Sequence, residues 1–167
     1  MKTSARLLLV AILSIALPAA ASAAAIDPTG TYTLSKGTCK NYNPIDGNTT
    51  SDMNTAQTLS VTVSGSDLYI VFATVPMYGK LILDPNTPDS KGVSPLVNCT
   101  VTNNLDFAGN DYNYMGRLDF KSSGTTVKLK GRFYTEAANN AFNPFVSFCS
   151  FSAERTSSAD PGNTPCP

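Results

Sequence analysis

From Thr29 onward the chain alternates apolar and polar side chains in short runs separated by turn residues, the period-two signature of half-buried β-strands. Thr29 to Lys36 puts Tyr32 and Leu34 on one face and Thr31, Thr33 and Ser35 on the other, and Gly37 ends the run. Residues 37–55 are polar and carry Asn43-Pro44 and Asp46-Gly47, so they predict a long loop. The next two runs form the clearest hairpin. Leu59, Val61 and Val63 answer Leu68, Ile70 and Phe72 across Gly65-Ser66, and a Gly in the first loop position suits a type II′ turn. That turn pairs Val63 with Leu68, Val61 with Ile70 and Leu59 with Phe72, so all six apolar side chains share one face and Thr62 faces out.

Further strands follow. Gly79 to Asp84 holds the short apolar run Lys80-Leu81-Ile82-Leu83, and Pro85, Pro88, Gly92 and Pro95 punctuate a loop after it. Leu96 to Thr102 predicts a strand with Val97, Cys99 and Val101 turned to the core. Tyr112 to Lys121 alternates strictly, with Tyr112, Tyr114, Leu118 and Phe120 on one face; Thr126 to Glu136 places Val127, Leu129 and Phe133 against Lys128, Lys130 and Arg132. A loop over Ser122 to Thr125 keeps both apolar sets together and sets Asp119 opposite Lys128. Phe145 to Arg155 is the last strand. About eight strands and no helical period predict an all-β chain: a single antiparallel domain over residues 24–157, an up-and-down barrel in preference to a two-sheet sandwich. Residues 158–167 form a polar tail tied at Cys166.

The start of the chain follows a different pattern. Lys2 and Arg6 precede an apolar run over residues 7–17, then Pro18 and the small residues Ala21-Ser22-Ala23. This is the pattern of a secretory signal over residues 1–23, which predicts a secreted or periplasmic protein. The run is too short to cross a bilayer comfortably, since about 20 residues are needed, and no later segment is long enough. Without Lys2 and Arg6 the 12 basic residues become 10 against 12 acidic, a net of −2. A nucleic-acid binder would carry a basic surplus instead. Cys39, Cys99, Cys149 and Cys166 predict two disulfides; no close Cys pair and no His support a zinc site. In a closed meander the first and last strands lie antiparallel, which favours Cys39–Cys149 and leaves Cys99–Cys166.

Candidate chemistry is sparse. With no His, Ser-His-Asp and Cys-His sites are excluded. Glu136 and Glu154 are the only glutamates, and as a carboxylate pair they would suit a hydrolase. Turn chemistry explains Asp84-Pro85-Asn86-Thr87-Pro88-Asp89 better than a calcium loop does. No sequence pattern calls for a metal or cofactor. Asn48 and Asn98 head glycosylation sequons, which matter only in a eukaryotic pathway, and the Ala-rich start has a bacterial look. Strand count and hairpin order resemble, in outline, the lipocalin and avidin type of barrel; Gly30-Thr31-Tyr32 stands where lipocalins carry Gly-x-Trp, but the chain has no Trp.

Two sets of residues carry the functional expectations. Tyr112, Tyr114, Phe72, Phe120 and Phe133 share the inner face and predict the wall of a cavity for a small apolar ligand, as eight-strand barrels can hold one. Arg117, Lys121, Lys128, Lys130 and Arg132 share the outer face of one hairpin and predict a docking patch for a macromolecule. The leading expectation is an exported, non-catalytic binding protein with an apolar ligand in the barrel. The alternative is an inhibitor or adhesion module using loops or the basic face, and a carboxylate hydrolase comes third.

Overall fold

The computed structural model describes residues 24–99, 112–137 and 146–166. The expected signal, residues 1–23, lies outside them. Ten strands are present: β1 (Gly30–Asn43), β2 (Gly47–Asp52), β3 (Thr58–Ser64), β4 (Asp67–Phe72), β5 (Val75–Lys80), β6 (Ile82–Leu83), β7 (Lys91–Asn98), β8 (Tyr112–Ser123), β9 (Thr126–Ala137) and β10 (Val146–Ser157). Eight of them run β10-β9-β8-β7-β5-β4-β3-β1, all antiparallel, and β1 pairs back onto β10. The sheet is therefore a closed barrel rather than a sandwich. β2 lies along the far half of β1, and β6 adds to β7.

The hairpin β3–β4 has the register its pattern demands: Leu59 faces Phe72, Val61 faces Ile70 and Val63 faces Leu68. Gly65 takes φ 63°, as the first position of a type II′ turn requires. The next turn is less comfortable. Ala73 and Thr74 join Phe72 to Val75 with φ of 47° and 77°, both left-handed. This is a type I′ geometry, which Asn-Gly adopts freely and a β-branched Thr does not. Ala73→Asn with Thr74→Gly should stabilise the fold by about 1–3 kcal/mol, seen as a higher urea midpoint; an unchanged or lower midpoint would show that the turn stores no strain.

Elsewhere the sequence pattern misleads in specific ways. Residues 38–43 and 47–52 are paired strands, not a loop; both are polar because this hairpin stands beyond the core. β5 carries Pro76 and Gly79, which obscure its alternation, yet Met77 and Gly79 are buried. β7 starts at Lys91, inside the expected loop, and its inner face is Gly92, Ser94 and Leu96. Val97 is exposed, so the assignment of that face to the core is reversed. Pro95 interrupts no hydrogen bond that matters, since it sits where β5 gives way to β6. The β8–β9 turn is only Gly124-Thr125, with Gly124 at φ 62°. The register consequently moves by two: Asp119 faces Lys130, not Lys128, and Lys128 faces Lys121. A shift of two preserves the faces, so the apolar set stays inside.

Both disulfides form as paired above. A bulge between Leu34 and Lys36 turns the second half of β1 so that Cys39 stands directly opposite Cys149, with Cα atoms 4.0 Å apart and 110 residues between them. This bond staples the seam that closes the barrel. Cys99–Cys166 holds the tail. The tail has further anchors: Thr62 donates to Asp160 at 2.7 Å, the Asn163 backbone N–H donates to Thr62 Oγ1 at 3.0 Å, and the Asn163 amide donates to the Tyr69 carbonyl at 3.2 Å. Hydrogen bonds from Thr62 and the Gly162 backbone hold the Asp160 carboxyl below its ordinary pKa. Thr62 does point outward but is covered by this strap, so it is not the solvent-facing position that its parity suggests.

The barrel interior is apolar. Tyr32, Leu59, Val61, Leu68, Ile70, Met77, Leu118 and Leu129 are all but fully buried. The Tyr32 hydroxyl donates to the Pro28 carbonyl at 2.7 Å, and burial raises its pKa. Apolar inside and charged outside is the reverse of a lipid-spanning barrel. Among the described residues no helix is long and apolar enough to cross a membrane.

Candidate functional site

The inner aromatics are packed on one another. Phe72 stacks on Phe151 with ring centres 5.4 Å apart, and Phe133 lies 5.2 Å from the first and 5.3 Å from the second. Phe120 meets Tyr32 at 6.5 Å. Glycines admit these rings: a Cβ on Gly131 would sit 2.1 Å from the Phe151 ring, and one on Gly116 would sit 2.3 Å from Phe133. Phe72, Phe120 and Phe133 thus fill the barrel. Tyr112 and Tyr114 stand at the start of β8, and their side chains lie outside the described residues.

The other candidates are separated. Glu136 faces Val146 while Glu154 faces Lys128, so they stand eight residues apart along β10. That is about 26 Å, beyond any glycosidase pair. Asp84 accepts the backbone N–H groups of Asn86 and Thr87 at 2.9 and 3.3 Å, which lowers its pKa and accounts for it as a turn residue. No cluster suited to a metal occurs among the described residues.

The outer wall brings more together than the hairpin alone. Of the 10 cations beyond Lys2 and Arg6, eight are exposed on β7, β8, β9 and β1: Lys36, Lys40, Lys91, Arg117, Lys121, Lys128, Lys130 and Arg132. Across these strands and β10 they meet three acids, Asp119, Glu136 and Glu154. The register places like charges face to face. Arg117 opposes Arg132, Lys121 opposes Lys128, and Lys91 opposes Lys121 from the other side. Such pairs each cost a few tenths of a kcal/mol or more. Relief is partial: Asp119 pairs with Arg117 at 2.6 Å and Glu154 with Lys128 at 2.6 Å, while Lys91, Lys121, Lys130 and Arg132 make no ion pair among the described residues.

The chain matches no protein-family model, no curated protein and no solved structure.

An uncharged row borders the cations. Phe148, Tyr134, Met115, Val97, Tyr78 and Tyr69 are successive cross-strand neighbours on β10, β9, β8, β7, β5 and β4. At about 4.8 Å per strand the row spans about 24 Å. Its two ends differ. Tyr78 donates to Asp67 at 2.7 Å, Asp67 also holds Lys80, and the strap bonds to the Tyr69 carbonyl. At the other end Phe148, Met115 and Val97 are 51%, 52% and 53% exposed. Tyr134 and Tyr42 meet Phe148 edge-on at 5.1 and 5.9 Å. Burial, then the neighbouring Glu136, raises the pKa of the Tyr134 phenol. Between this row and the next, which holds Thr38, Ser150, Arg132 and Arg117, lies a shallow cleft of about 460 Å³. Two more clefts, of about 670 and 570 Å³, continue over Lys91, Lys121 and Lys128 and over Lys36, Lys130 and Ser152. Lys36, Lys40 and Lys91 escape a reading of the β8–β9 hairpin alone, because only the barrel's closure and register bring them beside it.

Proposed function

We propose that this chain is an exported, non-catalytic binding module that docks an anionic partner on the outer wall of β7, β8, β9, β10 and β1. One observation carries the proposal: three like-charge cross-strand contacts stand on a single face of a protein whose net charge is −2 without residues 1–23, 10 basic against 12 acidic. A face that merely needed to stay hydrated would do so with mixed signs and no repulsion. Retaining the repulsion makes physical sense where an anion relieves it. Export is supported by the Lys2/Arg6 start with its apolar run and Ala21-Ser22-Ala23, and by two disulfides, which are compatible with an extracellular or periplasmic location.

The charge segregation has a direct test. Despite a net of −2 without residues 1–23, the protein should be retained at neutral pH and low salt on a negatively charged resin. Retention should fall steeply with added salt, as exposed charges are screened within about 10 Å at 0.1 M. Lys121→Glu with Arg132→Glu should abolish it without changing the melting temperature by more than a few degrees, since both side chains are exposed. A wild-type protein that flows through would remove the proposal.

A further inference from the structure

We infer that the partner is a protein, and that the cleft between Phe148 and Arg132 receives an apolar side chain flanked by carboxylates. This rests on the docking face proposed above and specifies its occupant. Three features of the face point the same way.

The first is composition by position. Phe148, Tyr134 and Met115 line one side of the cleft and Arg117 and Arg132 the other; one lysine, Lys40, stands beside Phe148 at the β1 edge of the cleft, while Lys121, Lys128 and Lys130 stand outside it. Protein–protein interfaces enrich aromatic residues, Met and Arg at their centres and leave Lys to the rim. A surface that attracts only bulk negative charge has no use for that sorting.

The second is ring geometry. Interplanar angles of 64° between Tyr134 and Phe148 and 84° between Tyr42 and Phe148 make a notched cluster rather than a flat platform. A sugar polymer stacks on coplanar rings; a notch takes a projecting Leu, Phe or Ile.

The third is charge complementarity at short range. The Arg132 and Arg117 row lies two residues along the strands from the apolar row, about 6.6 Å. A peptide whose apolar side chain enters the notch carries its neighbouring side chains over that distance, where a carboxylate meets Arg132. Arg117 already shares Asp119, so Arg132 is the guanidinium with full capacity for a bidentate carboxylate.

The test uses the oxidised full-length protein after removal of its signal and three probes read by fluorescence anisotropy. One is an acidic peptide with a central Leu-Phe, the second the same peptide with Ser-Ser at its centre, and the third a sulfated polysaccharide. The Leu-Phe peptide should bind about tenfold more tightly than the Ser-Ser peptide, the scale of one interface anchor. Phe148→Ser should erase that difference while leaving the Ser-Ser peptide's weak affinity unchanged. Arg132→Glu should weaken both peptides, whereas Arg132→Lys should recover the weak affinity without the full preference. Because both side chains are exposed, unchanged far-UV circular dichroism and a melting temperature within a few degrees of wild type should show that these variants are folded.

Equal binding of the two peptides would overturn the inference, and so would a polysaccharide that binds more tightly than either and ignores Phe148→Ser. Either result would leave the anionic docking face standing with a different occupant. Self-association abolished by Phe148→Ser would overturn it in favour of a second copy. Failure of all three probes to bind, with retention on the resin also lost, would remove the docking face itself.

Discussion

Replacing Cys39 and Cys149 together by Ser should lower stability by about 2–5 kcal/mol in urea denaturation, with the reduced wild type showing a comparable loss. The magnitude follows from where the bond lies. It joins residues 110 apart, so in the unfolded chain it removes a long loop's worth of freedom. In the folded chain it lies on the β1–β10 pairing, which closes the barrel among the described residues. Without it the seam has backbone hydrogen bonds and the inner contacts of Tyr32, Leu34 and Phe151 to hold it. Cys99→Ser with Cys166→Ser makes the comparison: it frees a strap bonded to the outside of β3 and β4, so it should loosen residues 158–166 towards proteolysis before it unfolds the barrel. An unchanged midpoint for the Cys39/Cys149 variant would mean that the seam closes as firmly without the bond.

Gly131→Val should cost more than about 3 kcal/mol, although Val is the better strand former by up to about 1 kcal/mol. Propensity and packing pull in opposite directions here, and packing wins on distance. The new Cβ would sit 2.1 Å from one Phe151 ring atom and 2.2 Å from another. Phe151 cannot rotate aside freely, because Phe72 and Phe133 hold it on two sides. The ring would have to leave the core, with a loss on the scale of a large aromatic truncation, about 3–5 kcal/mol. Adding Phe151→Ala should make the double variant less damaged than the sum of the two single ones, since the vacated space admits the Val side chain. Additive losses would show that Gly131 is needed for its backbone and not for the ring above it.

What the sequence made legible follows the core. Leu59 to Val63 and Leu68 to Phe72 each alternate, the Gly65 between them fits its turn, and the hairpin folds in the register read from it. Where the inner face is small, the signal fails: Gly92 and Ser94 leave β7 without an apolar stripe, and Val97, the residue that looked like core, faces out. Polar strands beyond the core fail too. Thr38 to Asn43 and Gly47 to Asp52 pair with each other although neither has an apolar face to bury. The cations of the β8–β9 hairpin were readable from parity alone. The apolar row beside them was not. It takes one residue from each of six strands, between positions 69 and 148, and apart from Tyr69 and Tyr78 on one tight hairpin its members meet only through the barrel's register.

The placement of the seam also governs how the chain assembles. Every other pairing in the barrel joins strands that are neighbours in sequence or nearly so, and hairpins of that kind form early. The β1–β10 pairing has to wait until the curved sheet brings its ends round. During that interval the sheet carries two long bare edges, 14 and 12 residues, each complementary to the other. A second molecule at the same stage offers the same edges, so exchange of terminal strands competes with closure. Oxidation of Cys39 with Cys149 ends the competition within one chain, which makes the bond a guard on monomer identity as much as a source of stability.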